Sequence, residues 1–247
     1  MNPLSVLSLL AFGFGLGLKH ATEADHLAAV STILSDRKSL WSASLIGGLW
    51  GLGHTISLLL AGLAVIVLHF EISAHLAKGL EFCVALMLVG LGLDSLRKLA
   101  RGGQLHLHAH RHGGRLHLHP HVHDSAHAHA PHQHSAEAHS HHGLGIGPRP
   151  LVIGMMHGLA GSGALMLLVL STISSAWVSM SYILVFGCGS IGGMILMSLF
   201  LGLPFHLTAR RFGRMEWALR GVAGFFSLSF GVFMIYQIGF VQGLFSI

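Results

Sequence analysis

Seven consecutive residues, His20-Ala21-Thr22-Glu23-Ala24-Asp25-His26, bring two imidazoles and two carboxylates into one short stretch. Imidazole nitrogen together with carboxylate oxygen suits nickel, cobalt, zinc or iron, whereas calcium and magnesium take oxygen shells. On a straight α-helix, at about 100° per residue, Glu23 stands roughly 60° from His20 and His26 roughly 120°, while Asp25 points roughly 140° the other way. Either His20, Glu23 and His26 share a face of an intact helix, or the helix unwinds so that His20, Asp25 and His26 converge on one ion. The second arrangement is favoured, because Gly13, Gly15 and Gly17 lie just upstream and lower the cost of distortion. A break is therefore expected between Gly17 and His26.

Two more histidines sit among small residues. His54 belongs to Gly51-Leu52-Gly53-His54-Thr55, where glycines permit close helix approach and Thr55 is placed to orient the ring. His157 belongs to Gly154-Met155-Met156-His157-Gly158, in a segment of small residues that runs on to Gly163 and speaks first of close packing. Glu81 and Asp94 are weaker candidates, since Glu81 lies near a membrane end and Asp94 has Arg97 and Lys98 beside it to pair with. The candidate metal set is His20, Glu23, Asp25, His26, His54 and His157.

The elements that must carry these groups are membrane helices. Of the 247 residues, 52% are hydrophobic and 9% charged, with a mean hydropathy of +0.68, against about 25% charged residues in soluble domains. Six apolar runs, near 3–34, 41–69, 76–98, 150–175, 177–203 and 217–245, are each long enough to cross a bilayer. All should be helices, because backbone groups in lipid must be bonded within their own segment. The first run lacks a basic leader and continues to about Leu34, so it reads as a retained span. Its charged cluster at membrane depth is costly and marks a functional site. Cys83 and Cys188, inside apolar runs, read as buried small side chains. A pI near 9.8 does not imply nucleic acid here, because the basic residues lie between apolar runs and form no stripe with stacking aromatics.

Arg37, Lys38, Arg97, Lys98, Arg101, Arg111, Arg115, Arg149, Arg210, Arg211 and Arg214 fall in alternate loops, and the opposite side holds Lys78. The positive-inside rule places both termini outside and those loops in the cytoplasm of a cell (inner) membrane protein. Between Arg101 and Pro148 lie fifteen histidines, many in alternating H-x-H order. Such a segment cannot bury a core and is expected to be a mobile, metal-binding cytoplasmic loop.

An internal repeat organises the chain. Gly17-Leu18-Lys19-His20-Ala21 is echoed by Gly154-Met155-Met156-His157-Gly158, and Trp50-Gly51-Leu52-Gly53-His54 by Phe186-Gly187-Cys188-Gly189-Ser190. With three spans per half, the second copy enters from the opposite side, as in secondary transporters. The expected fold is an all-α membrane protein of six transmembrane helices in two inverted three-helix repeats, its first helix discontinuous. The units are 1–98, a first membrane repeat; 99–149, the His-rich cytoplasmic loop; and 150–247, the second repeat.

The stretch His20 to His26, H-x-x-x-x-D-H, followed by Leu52-Gly53-His54-Thr55, resembles the signature of the nickel/cobalt transporter family. Gly154 to Leu165, GMMHGLAGSGAL, is similar to the branch related to urease accessory membrane proteins. The resemblance covers all six spans and implies that His20, Asp25, His26 and His54 are metal ligands or gate residues. Glu23 inside the signature, six spans rather than eight and a second half without an acidic motif are departures from the importers.

The expected function is a secondary transporter, not an enzyme, moving nickel or cobalt through a His/Asp site at mid-membrane, with zinc also fitting the donors. Histidine and carboxylate titration could couple it to protons. No P-loop is present, so ATP drive would come from a partner. No resident cofactor is expected; the partners are the divalent cation, the lipid bilayer and a cytoplasmic metallochaperone at the His-rich loop. The alternatives are an intramembrane metal-dependent hydrolase built on His20-x-x-Glu23-x-x-His26, and a membrane metal sensor or chaperone. Metal flux in sealed vesicles separates the three.

Overall fold

The computed structural model describes residues 3–35, 39–68, 73–101, 105–112, 115–122, 147–160, 173, 175–208 and 213–245. Every described apolar run is helical. The order is α1 (Pro3–His20), α2 (Ala24–Leu34), α3 (Leu40–Leu68), α4 (Ala74–Ala100), α5 (Arg149–Ala160), α6 (Ala176–Thr208) and α7 (Gly213–Tyr236), which runs into a π-helical turn at Gln237–Val241. Four helices are long and apolar enough to cross a membrane, at Leu40–Val67, Ala74–Ala100, Ala176–Thr208 and Met215–Val241. The α1–α2 pair, bent by 53°, makes a fifth span if taken as one. Of the run expected at 150–175, α5 supplies 12 residues, too few to cross, and 161–172 lie outside the described residues. So do Arg37, Lys38, Arg210 and Arg211. The chain is a multi-pass membrane protein.

Its outward faces carry large apolar side chains, among them Leu7, Trp41, Leu60, Phe200 and Phe225, as lipid-facing helices require. Cys83 and Cys188 also face outward, contrary to the buried placement expected of them. Small thiols are as much at home against lipid as in a packed interior, so an apolar run alone does not place them.

The helices pack through their small residues. A Cβ on Gly17 of α1 would strike the Phe186 carbonyl of α6, and one on Gly189 of α6 would strike the Phe14 carbonyl of α1. Likewise, one on Gly154 of α5 would strike the Trp50 carbonyl of α3, and one on Gly53 of α3 the Leu151 carbonyl of α5. On the other flank Gly92 of α4 lies against Gly224 and Leu228 of α7, and Gly231 of α7 against Ala85 and Val89 of α4. Such backbone-to-backbone approach is how helices gain packing in a solvent as apolar as themselves. The largest core cluster surrounds Trp50, Ile46, Val30, Leu34 and Leu88.

The His-rich segment is not wholly a loop. Leu105–His112 and Arg115–Val122 form an antiparallel strand pair, β1 and β2, whose register sets His106 opposite His121, His108 opposite His119 and His110 opposite His117. The expected loop thus carries a strand pair within it, because H-x-H order has the two-residue period of a strand. His123 to His142 lie outside the described residues.

Candidate metal centre

The first span breaks at Ala21–Glu23, and the residues there explain why the break is tolerable. Thr22 N–H donates to the Lys19 carbonyl at 2.9 Å and Glu23 N–H to the His20 carbonyl at 3.1 Å, closing a tight turn at the end of α1. The Thr22 hydroxyl donates to the same Lys19 carbonyl at 2.6 Å. Glu23 then adopts an extended backbone, φ −68° and ψ 151°, and stands as the first capping residue of α2. Carbonyls freed by the break thus find donors within the turn, as apolar surroundings demand. The upstream glycines do not make the break: Gly13 and Gly17 are occupied by Tyr182 and Phe186 of α6, and Gly15 has open space beside it.

On a continuous helix His20 and His26 would stand about 9 Å apart along the axis. The break brings their ring centroids to 4.6 Å, edge to face. From α3, His54 comes to 5.0 Å from His20 and 5.7 Å from His26. From α5, His157 comes to 4.7 Å from His26. Gly53 and Gly158 allow this meeting, since a Cβ on Gly158 would run into His54 itself. All four rings are buried, His54 and His157 completely.

These donors form two overlapping triads. One is His20, His26 and His54; the other is Asp25, His26 and His157; within each, one ligand atom per residue lies within 4.8 Å of the others. Asp25 Oδ1 is 3.2 Å from His26 Nδ1, and its Oδ2 is 3.6 Å from His157 Nε2. Glu23 belongs to neither triad. It is 41% exposed and holds His20 Nδ1 at 3.1 Å, which leaves the His20 Nε2 lone pair for an ion, the way a carboxylate orients a ligating histidine. Six ring nitrogens, His20 Nε2, His26 Nε2 and both of His54 and His157, are buried without a hydrogen-bond partner among the described residues.

Two wall residues escaped the sequence reading. Trp50 stacks on His26 at 5.7 Å and 11° and lies 5.2 Å from His157, while Phe186 lies 5.8 Å from His20. Their one signal was that they open the matched Trp-Gly-x-Gly and Phe-Gly-x-Gly segments of the repeat. Thr55 does not orient His54: its hydroxyl donates to the Gly51 carbonyl at 2.8 Å and reaches the Gly187 carbonyl at 3.3 Å. The reason is general, in that helical Thr bonds its own preceding turn readily. Asp94 pairs with Lys98 at 2.9 Å. That pair lines a cavity of about 270 Å³ with Thr32 and Ile33 of α2, Ile46 of α3, and Arg149 and Ile153 of α5.

Among known proteins, the chain is similar to the urease accessory protein UreH of Bacillus sp. (strain TB-90), with 39% identity over 252 residues that span 100% of this chain and 99% of that protein. No protein-family model matches the chain. No solved structure matches it.

Proposed function

The chain belongs to the family of the urease accessory protein UreH, within the nickel/cobalt transporters, and we propose that it carries a nickel or cobalt ion across the membrane as a secondary transporter. The observation that carries this reading is the buried cluster at the helix break, with five donors and, among the described residues, six ring nitrogens without a hydrogen bond in the interior of a membrane protein. Leaving a buried polar group without a partner costs about 1–3 kcal/mol. A fold that keeps such rings together, each able to give one nitrogen to an ion, gains by offering them a cation. The donors are imidazole and carboxylate, a set for nickel, cobalt or zinc rather than calcium or magnesium.

Carriage is favoured over storage by the setting of the cluster. A broken span, lined by close-packed helices, is how transporters build a site at mid-membrane. The proposed architecture is two inverted three-helix repeats, 1–98 and 150–247, flanking the His-rich segment 99–149. Support for it lies in the helix contacts, which exchange when the halves are exchanged. Gly17 on Phe186 corresponds to Gly154 on Trp50, Gly189 on Phe14 to Gly53 on Leu151, and Gly92 on Leu228 to Gly231 on Val89. We place the protein in the cell (inner) membrane with both termini outside and the His-rich segment in the cytoplasm. Arg97, Lys98, Arg101 and Arg149 gather at one end of the helices, and Lys78 sits at the other end of α4. In that location the His-rich segment collects metal and can receive it from a metallochaperone. A hydrolase would need Glu23 beside an ion-bound water, and Glu23 is instead spent on His20 Nδ1.

The experiment is flux of a panel of divalent metals into proteoliposomes of the purified chain. Saturable movement of Ni2+ or Co2+, lost in His26→Ala at equal incorporation, supports the reading. Sealed vesicles that pass none of the panel, or a His26→Ala protein that transports like wild type, would overturn it.

A further inference from the structure

We propose that the buried cluster offers the ion two successive positions, one of three histidines (His20, His54, His26) and one mixed (Asp25, His157, His26), with the His26 ring passing it between them. The inference rests on the transport reading above and deepens it.

The first ground is reach. Nitrogen and oxygen ligands bind such ions at about 2.0–2.2 Å, so the donors around one tetrahedral ion lie about 3.3–3.6 Å apart. Each triad, with its atoms within 4.8 Å, closes to that size by a small contraction. The five donors together do not form one such group; they divide into two that share His26 alone. A single ion therefore has a three-histidine shell or a mixed shell to choose from.

The second ground is the pair of faces that one imidazole has. His26 Nδ1 lies 3.2 Å from Asp25, on the mixed side. Its Nε2 has no hydrogen-bond partner among the described residues and remains for the ion on the side of His20 and His54. Trp50 stacked on the ring keeps His26 in the plane that serves both sides.

The third ground is depth. The cavity beside Asp94 and Lys98 is lined by Thr32 and Ile33 of α2, the helix whose first turn carries Asp25, whereas His20 ends α1 on the far side of the break. His54 and His157 stand at one level, since Gly158 lies against the His54 backbone as Gly154 does against that of Trp50, so Asp25 and His20 set the order. The mixed position is thus the one next to the cavity, and the three-histidine position lies behind it. Their order is that of a path, with a carboxylate at the cavity end where a dication arrives from, or leaves toward, water. Two dications only a few ångströms apart repel strongly at low dielectric, so one ion uses the two positions in turn.

The test uses the purified full chain with Co2+, whose visible spectrum changes with the number of imidazole and carboxylate ligands, together with Co2+ flux in proteoliposomes. His54→Asn is expected to keep one Co2+ in the buried cluster with a mixed-shell spectrum, and His157→Asn one there with a different, three-imidazole spectrum. Each is expected to lose at least tenfold in flux, and the double variant to keep only the Co2+ held by the His-rich segment, the blank against which both spectra are read. Should the Asn variants not be recovered folded, His54→Gln and His157→Gln test the same outcomes. Identical Co2+ spectra from the two single variants, or wild-type flux in a His157 variant, would overturn the two-position site. Wild-type vesicles that pass no metal while the variants keep two distinct spectra would instead sink transport and leave the two positions standing. Flux in wild type with one spectrum throughout does the reverse.

Discussion

The two halves of the molecule share a scaffold and differ in chemistry. Gly17 and Gly154 each lie under a carbonyl of the facing helix, as do Gly53 and Gly189. Yet the first half carries His20, Glu23, Asp25, His26 and His54, and the second contributes His157 to the cluster. Where α3 presents His54, the matched place on α6 is Ser190, fully buried. Backbone approach and metal donors are therefore written separately: small residues recur in both halves because both must pack alike, while donors need to stand on one side of a shared centre.

The largest effect is expected from removing the donor both triads use. His26→Ala should reduce flux at least about 100-fold, since even residues that merely orient a metal ligand are worth 10–100-fold. It should do so with normal protein levels, which flux per incorporated molecule measures. Next come the glycines, where the halves should behave alike. Gly53→Ala and Gly189→Ala both place a methyl into a backbone carbonyl, and such overpacking costs about 1–3 kcal/mol, more than the roughly 1 kcal/mol that alanine gains over glycine in a helix. Both should lower the thermal unfolding temperature in detergent by similar amounts. Gly15→Ala, with open space at its Cβ, should not lower it. A drop for one half alone would deny the shared scaffold.

Much of this was legible from residue spacing. The angular spread of His20, Asp25 and His26 demanded a bent first span, and the span is bent within the stretch Gly17 to His26. The cause differs from the one expected: the glycines serve as contact surfaces rather than points of distortion, and a Thr-Glu turn makes the break. Spacing could not show that the donors divide into two triads, because that depends on where α3 and α5 lie beside α2. Beyond their place in the repeat, Trp50 and Phe186 give no sign of their role, because an aromatic within an apolar run looks like any lipid-facing residue. The strand pair was foreshadowed by the two-residue period of its histidines, a signal overruled by composition.

A smaller effect is expected from the His-rich segment. Deleting residues 104–142 should leave most flux intact and weaken apparent affinity by about three- to tenfold, the scale of losing a multivalent collector that raises local ion concentration. The Michaelis curve for Ni2+ uptake reads it. Complete loss of flux in a folded deletion would make this segment part of the path, and the comparison would then need a third region.

The smallest expected effect separates chemistry from scaffold at a single matched position. His54 and Ser190 occupy corresponding places in the two halves, and both are fully buried with side-chain atoms that lack a hydrogen-bond partner among the described residues. Their surroundings differ, since His54 has two imidazoles within reach, whereas Ser190 sits against the backbone of α1 at Gly17. Removing a ligand from a metal shell is costly, but removing a buried hydroxyl that bonds nothing relieves a desolvated group and leaves a small void. The two terms nearly cancel, each being about 1 kcal/mol. Ser190→Ala should therefore change flux by less than about threefold, while His54→Ala changes it by more than about tenfold. Measured side by side at equal incorporation, a Ser190→Ala protein as damaged as His54→Ala would mean that the second half supplies chemistry at this position after all.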